Sequence, residues 1–173
     1  MSRKGSKKMP KRIGSMSYTR QEYVHSKPPT KVTRFVIGDP SPDYEYAISL
    51  VAEHSAEIKG SALESARVTS NKVVSTLAGT PFLIRVLIYP HEIVRAHKFM
   101  GFAGADRLSQ GMRRSFGRPT DRAAKVSAGQ PVLAIYTMEA GVEKAKEALK
   151  RASKKLPITG SIVVTPLKEK NPT

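Results

Sequence analysis

The 173-residue sequence contains no cysteine, and this absence removes several kinds of chemistry together. Without thiols there can be no disulfide, no thiolate zinc site and no cysteine nucleophile. The sequence also lacks any apolar run near the roughly 18 to 20 residues that a membrane-spanning helix needs, and no apolar segment follows its basic start. We therefore expect one compact cytoplasmic domain without a membrane partner.

Acidic residues are scarce as well, since 14 Asp and Glu stand against 30 Lys and Arg and leave a net charge of +16. Residues 1–34 carry 10 basic side chains and 1 acidic one, and residues 91–125 carry 8 basic and 3 acidic side chains. The segment between them, residues 35–90, carries only 4 basic side chains and 6 acidic ones. Clustered positive charge is typical of proteins that bind a phosphate backbone, because neutralised phosphates release their counterions. A lysine-rich thermophilic surface and an anionic membrane partner are the alternatives, but neither explains the acidic centre.

Apolar periodicity predicts a folded centre of strands and helices. Helices are predicted over about residues 62–78, beginning at a capping box of Ser61 and Glu64, and over residues 142–156, before Pro157. Four strands are predicted, at residues 46–52, 82–88, 131–138 and 161–165, and a short apolar run at residues 35–37 precedes them. This order predicts an α+β fold, a two-layer α/β sandwich with two helices on one face of a mixed sheet.

The basic start, residues 1–34, is predicted to be an extended RNA-binding arm. Its large apolar residues are too few to offset the entropy of ordering, and Pro28-Pro29 excludes a helix. Rings and cations alternate between Tyr18 and Lys27, which suits stacking and phosphate contacts on folded RNA. The alternative is a surface tail whose tyrosines pack on their own domain. The arm would precede one globular domain at residues 35–166 and a charged tail at 167–173.

A connection of more than 40 residues separates the strand near Ile88 from the strand near Val132. Compact domains rarely keep such a connection without a use. Arginine outnumbers lysine within it, and guanidinium groups bind phosphates bidentately and stack on bases. Its glycines would let the backbone approach a polynucleotide closely. We therefore predict a functional loop at about residues 101–125; the alternative is a flexible surface loop with incidental charge.

No residue pattern predicts catalysis. His91-Glu92 begins like a zinc-binding helical motif, but Arg95 stands where the second histidine is required. Residues 101–104 have the form of a KH-domain loop but lack its cation. The histidines are scattered, and no nucleophile elbow, carboxylate pair or phosphate-binding loop occurs. We predict no catalytic residue, no metal and no cofactor.

The long loop contains the segment AGADRLSQGMR at residues 103–113, followed by Gly-Arg-Pro at 117–119. With supporting segments at residues 18–20, 62–67 and 85–86, this pattern resembles the large-subunit ribosomal protein L ten e family of archaea and eukaryotes, whose bacterial counterpart is L sixteen. The resemblance covers nearly the whole chain. The lysine-rich start, residues 2–12, departs from the arm typical of the family.

The resemblance implies an α/β-hammerhead fold wedged between rRNA helices of the large subunit. It also implies a place near the A-site tRNA, with the loop directed toward the peptidyl transferase centre and the P-site tRNA. The rRNA would perform peptidyl transfer, so the protein is expected to be structural and not an enzyme. Its expected partners are large-subunit rRNA, A-site and P-site tRNA and neighbouring ribosomal proteins, without a homo-oligomer.

Residues expected to contact these partners are cations, aromatic rings and loop residues. For rRNA they are Arg12, Tyr18, Arg20, Tyr23, His25, Lys27, Lys31, Arg34, Arg67, Lys72, Arg95, Lys98, Arg122 and Lys125. For tRNA and the peptidyl transferase centre they are Gly104, Asp106, Arg107, Gln110, Arg113, Arg114 and Arg118. Two other functions remain open at this point: an enzyme that processes or modifies rRNA, and an architectural protein that binds nucleic acid through backbone charge alone.

Overall fold

The computed structural model describes residue 24 and residues 26–77, 79–96 and 117–167, and the structural statements below concern these ranges. Within them the chain forms eight strands and two α-helices. The strands are β1 (Val36–Gly38), β2 (Tyr46–Ala52), β3 (Ala56–Lys59), β4 (Phe82–Val86), β5 (Glu92–Ala96), β6 (Arg118–Val126), β7 (Pro131–Thr137) and β8 (Gly160–Pro166). The helices are α1 (Gly60–Val74) and α2 (Val142–Ser153), and a short 3-10 turn at Glu139–Gly141 leads into α2.

The larger sheet has five strands in the order β1-β4-β7-β2-β8, and each neighbouring pair is antiparallel. The α+β class is confirmed, but the expected mixed sheet is wrong. Helix α2 carries the chain from β7 to β8 across the intervening β2. The two strands joined by this helix therefore run parallel without being neighbours, and no parallel pair forms among the described strands.

The hydrophobic core lies between this sheet and the two helices. Ile84, Ile135 and Ile48 pair across β4, β7 and β2, and all three are fully buried. Alternation along β2 sends Ile48 and Leu50 to this covered face. Helix α2 packs on it with Ala145 and Leu149, both fully buried. Burial of one such aliphatic side chain contributes roughly 1.5 to 3 kcal/mol.

Helix α1 begins at Gly60, and the predicted capping box is wrong. The residue that precedes the helix is Lys59, which makes no side-chain cap hydrogen bond. Ser61 lies within the helix, and the Glu64 carboxylate accepts hydrogen bonds from Arg67 and Thr33. These partners compete for the carboxylate that a capping box would need. Both helices end earlier than predicted, at residues 74 and 153, because the chain then continues in a tighter turn.

A second sheet, with three strands in the order β3-β6-β5, is the main feature that the sequence analysis missed. Strands β5 and β6 lie within the connection predicted to be one long loop, so residues 118–125 are strand and not loop. Arg118, Pro119 and Asp121 give β6 poor local strand propensity. Pairing with strands on both sides and burial of Ala123 and Val126 override that propensity.

Candidate nucleic-acid interface

The last part of the predicted arm, residues 28–34, packs against the folded domain together with Phe35. Val32 is 5% exposed and belongs to the hydrophobic core. Arg122 on β6 donates from Nε to the carbonyl oxygen of Pro28 at 2.7 Å, and from Nη1 to Thr30 Oγ1 at 3.3 Å. The second sheet therefore fixes where the chain leaves the domain toward its basic start.

Two groups of charged contacts hold the same segment. Lys31 Nζ lies 2.9 Å from Asp121 Oδ2. Thr33 donates from its backbone N–H at 3.3 Å and from its hydroxyl at 3.0 Å to the Glu64 carboxylate. That carboxylate also accepts from Arg67 Nε at 2.9 Å and pairs with Arg67 Nη2. The segment is thus joined to helix α1 on one side and to strand β6 on the other.

The Arg67 contact sets the ionisation of both partners. The pKa of Glu64 is lowered, and the largest cause is the hydrogen bond from Arg67. Partial burial raises this pKa, whereas the hydrogen bonds from Thr33 lower it further. The hydrogen bond to Glu64 likewise raises the pKa of Arg67. Both groups are therefore charged at neutral pH, and the guanidinium is engaged within the protein.

Three aromatic rings lie beside the anchored segment. The ring centroids of Phe35 and Tyr89 are 5.3 Å apart and stacked at 25°, and those of Tyr89 and His91 are 4.8 Å apart and tilted at 55°. The Tyr89 hydroxyl lies 3.2 Å from Thr30 Oγ1 and 3.4 Å from Arg122 Nη1. Sequence reasoning assigned no role to these rings, although the Tyr-Pro-His run after β4 was a visible signal.

The cations expected to contact rRNA have different surroundings. Four of them have partners within the protein: Lys31, Arg67, Arg122 and Lys125. The partner of Lys125 is Glu92, with 3.3 Å between the lysine Nζ and the glutamate Oε1. Arg95 is partly buried on β5. Lys27, Arg34, Lys72 and Arg118 are exposed, and so is Lys31, whose side chain is 52% exposed beside Asp121. The contacts of Arg67 and Arg122 join segments of the domain, whereas the exposed side chains face solvent.

Many expected contact residues lie outside the described residues, and their contacts stay predictions. They are Arg12, Tyr18, Arg20, Tyr23, His25 and Lys98 for rRNA, and Gly104, Asp106, Arg107, Gln110, Arg113 and Arg114 for the loop. The described residues that flank this loop segment are brought together, because Ala96 pairs with Arg118 and Arg95 with Pro119 in the β5–β6 ladder. The two flanks thus lie side by side at one end of the second sheet.

The described residues show no metal-binding arrangement. Glu92 lies at the start of strand β5, so residues 91–95 do not form the helix that the zinc motif requires. No group of three or more His, Asp or Glu side chains in the described ranges could hold a metal ion. Among the helices described, none has the length and apolarity needed to cross a membrane.

These observations define a small, strongly basic α+β protein whose charge distribution is typical of polyanion-binding proteins. The family model described as ribosomal protein L16p/L10e matches residues 13–163. The large ribosomal subunit protein uL16 of Hyperthermus butylicus is 44% identical over 95% of this chain and 92% of its own length. The protein of the same name from Staphylothermus marinus is 43% identical over 87% of this chain and 87% of its own length. The one from Archaeoglobus fulgidus is 45% identical over 85% of this chain and 85% of its own length.

The chain therefore belongs to the ribosomal protein L16p/L10e family. This membership confirms the family resemblance that was predicted from the sequence. It makes the chain a structural and non-enzymatic component of the large ribosomal subunit, together with rRNA and other ribosomal proteins. The alternative of an rRNA-processing enzyme is thereby excluded.

Proposed function

We propose that this protein binds large-subunit rRNA through its basic arm and the exposed cations around its second sheet. We further propose that the segment carrying AGADRLSQGMR supports tRNA positioning near the A site and the peptidyl transferase centre. The observation that carries both proposals is the second sheet. Its strand β6 anchors residues 28–35 through Arg122, and its β5–β6 ladder holds together the two flanks of that segment.

The second sheet joins two basic regions that are distant in the sequence. Residues 1–34 and 91–125 together carry 18 cations, and both regions are attached to this sheet. Internal carboxylates balance part of the charge, as in the pairs Lys31–Asp121 and Lys125–Glu92. Arg34 and Arg118 are exposed near these attachments. An exposed guanidinium matches phosphate oxygens bidentately, so these two side chains suit an RNA backbone.

A salt titration of rRNA binding tests this interface. The full chain and the double variant Arg34→Gln/Arg118→Gln are compared for binding to a large-subunit rRNA fragment. Loss of two phosphate contacts should weaken binding about tenfold at low salt and reduce the slope of log affinity against log salt by about 1 to 2. The matched control, Lys150→Gln/Lys154→Gln, removes the same charge from exposed positions at and just beyond the end of α2. It should keep the parent slope.

Equal losses in both variants would show that net charge alone drives binding and would overturn the proposed interface. Duplex DNA of the same length separates the remaining alternative. A structural rRNA-binding protein should prefer the rRNA fragment at matched salt, because folded RNA offers unpaired bases and 2′-hydroxyls. Equal affinity for DNA would instead indicate an architectural protein that binds backbone charge.

A further inference from the structure

Phe35 and Tyr89 stack, and the His91 ring lies against Tyr89, tilted at 55° to the Tyr89 ring. We call these three rings the aromatic stack, and we propose that the stack binds an unpaired nucleobase of RNA. His91 is exposed and forms the outer end of the stack, and Tyr89 is 42% exposed. Phe35 supports Tyr89 from the domain side at 5.3 Å. This inference rests on the proposed rRNA-binding function and names the feature of RNA that the site recognises.

The stack is held in place before any ligand arrives. Ile88 is 4% exposed and Pro90 is buried, so the backbone on both sides of Tyr89 is fixed. The Tyr89 hydroxyl lies within hydrogen-bonding distance of Thr30 Oγ1 and Arg122 Nη1. A ring fixed in this way loses little rotamer freedom when a base stacks on it, so less of the stacking free energy is lost to ordering.

The chemistry around the stack favours RNA over an apolar ligand. Arg34 is exposed and precedes Phe35 in the chain. Arg122 lies at the Tyr89 hydroxyl, and the neighbouring acid Asp121 is paired with Lys31. A base can therefore lie on the rings while its phosphate meets the exposed Arg34, and this combination of ring and cation is how proteins bind single-stranded RNA. Bases in a duplex are already stacked, so the site should select an unpaired one.

A fluorescence experiment on the full chain tests the stack directly. The sequence contains no tryptophan, so His91→Trp introduces a single reporter at the outer end of the stack. Single-stranded oligoadenylate should quench this tryptophan strongly, whereas an abasic oligomer of equal length and charge should not. The control His54→Trp lies at another exposed histidine, in the turn between β2 and β3, and should not be quenched. Binding of oligoadenylate to the His91→Trp chain without quenching would overturn the proposal.

Affinity measurements separate stacking from phosphate contact. His91→Ala should weaken oligoadenylate binding about tenfold, within the range known for base–aromatic stacking. It should leave binding of the abasic oligomer unchanged, and His91→Phe should restore the parent affinity. Equal losses on both probes would make His91 a phosphate contact and refute stacking. Failure of the parent chain to bind either oligomer or the rRNA fragment would instead refute the proposed function on which the inference rests.

Discussion

Arg67 and Arg118 were both expected to contact RNA, yet the structure gives them different surroundings. The Arg67 side chain is 11% exposed and forms an ion pair with Glu64, whereas Arg118 is exposed at the start of β6. A partly buried guanidinium that turned toward a phosphate would leave its carboxylate without a partner. These contacts favour Arg67 as a residue that positions the arm and Arg118 as a residue that meets RNA. Both RNA contacts stay predictions.

The lowered pKa of Glu64 makes the contribution of this carboxylate to stability depend on pH. Its folded-state pKa lies below the ordinary value of 4.5, chiefly because Arg67 donates to it. Stabilisation from such a group is complete above the unfolded pKa and is lost as pH falls through the folded pKa. Glu64→Gln should therefore lower the free energy of unfolding by about 1.5 to 3 kcal/mol at neutral pH, the range for hydrogen bonds to charged groups.

Urea denaturation of parent and Glu64→Gln chains from neutral pH to about pH 3 checks this dependence. The difference between the two proteins should shrink as pH falls below 4.5, where the unfolded carboxyl takes up its proton. A matched control is Glu143→Gln, whose side chain is 86% exposed. A Glu64 difference that stays constant over the whole range would contradict the pairing.

Strands with local apolar patterns could be predicted from the sequence, whereas strands stabilised by their neighbours could not. The bounds of β2 were predicted correctly because its apolar residues alternate. The prediction for β7 ended one residue too late, and its almost wholly buried run made the strand visible in the sequence. Strand β6 carries Pro, Asp and two Arg near its start and has no such pattern. Its stability comes from pairing with β3 and β5, which a local sequence pattern does not record.

The same limit applies to the candidate site. Charge segregation predicted the arm and the loop, but the contact between Arg122 and Pro28 joins residues 94 positions apart. Nothing in the pattern of either segment shows that they meet. The aromatic stack has the same origin, since Phe35 reaches Tyr89 only because β1 pairs with β4. Sequence reasoning could therefore predict which kinds of residue contact RNA, but not how these residues are arranged in the fold.

Removal of the Arg122 side chain should release the anchored segment. Arg122→Leu loses the contacts to Pro28, Thr30 and Tyr89, while leucine is tolerated in a strand. We expect amide hydrogen exchange at residues 30–33 to become about tenfold faster, since local opening would cost about 1.4 kcal/mol less. The control Arg118→Leu, on the same strand but exposed, should leave this exchange unchanged. Unchanged exchange in Arg122→Leu would show that other contacts hold the segment.

The protein separates its buried core from its most basic segments. Residues 35–90 carry fewer basic than acidic side chains and supply β1 to β4 and α1, which contribute much of the buried core. The basic segments are attached through the second sheet, which contributes few large buried side chains. Cations held apart from the core can meet phosphates without placing unpaired charge in an apolar interior.

This separation predicts that loop substitutions affect the ribosome more than the fold. Arg107→Ala and Arg113→Ala should keep the free energy of unfolding within about 0.5 kcal/mol of the parent, as surface substitutions usually do. Large subunits reconstituted with either variant should bind A-site tRNA about tenfold more weakly, because each variant would lose the charge-assisted contact proposed for its arginine. The comparison variant Leu149→Ala, which opens a cavity at a fully buried position, should cost about 2 to 5 kcal/mol of stability. If the loop variants lose as much stability as Leu149→Ala, the two arginines belong to the core of the domain. If subunits that contain the loop variants bind A-site tRNA normally, the loop does not help to position the tRNA.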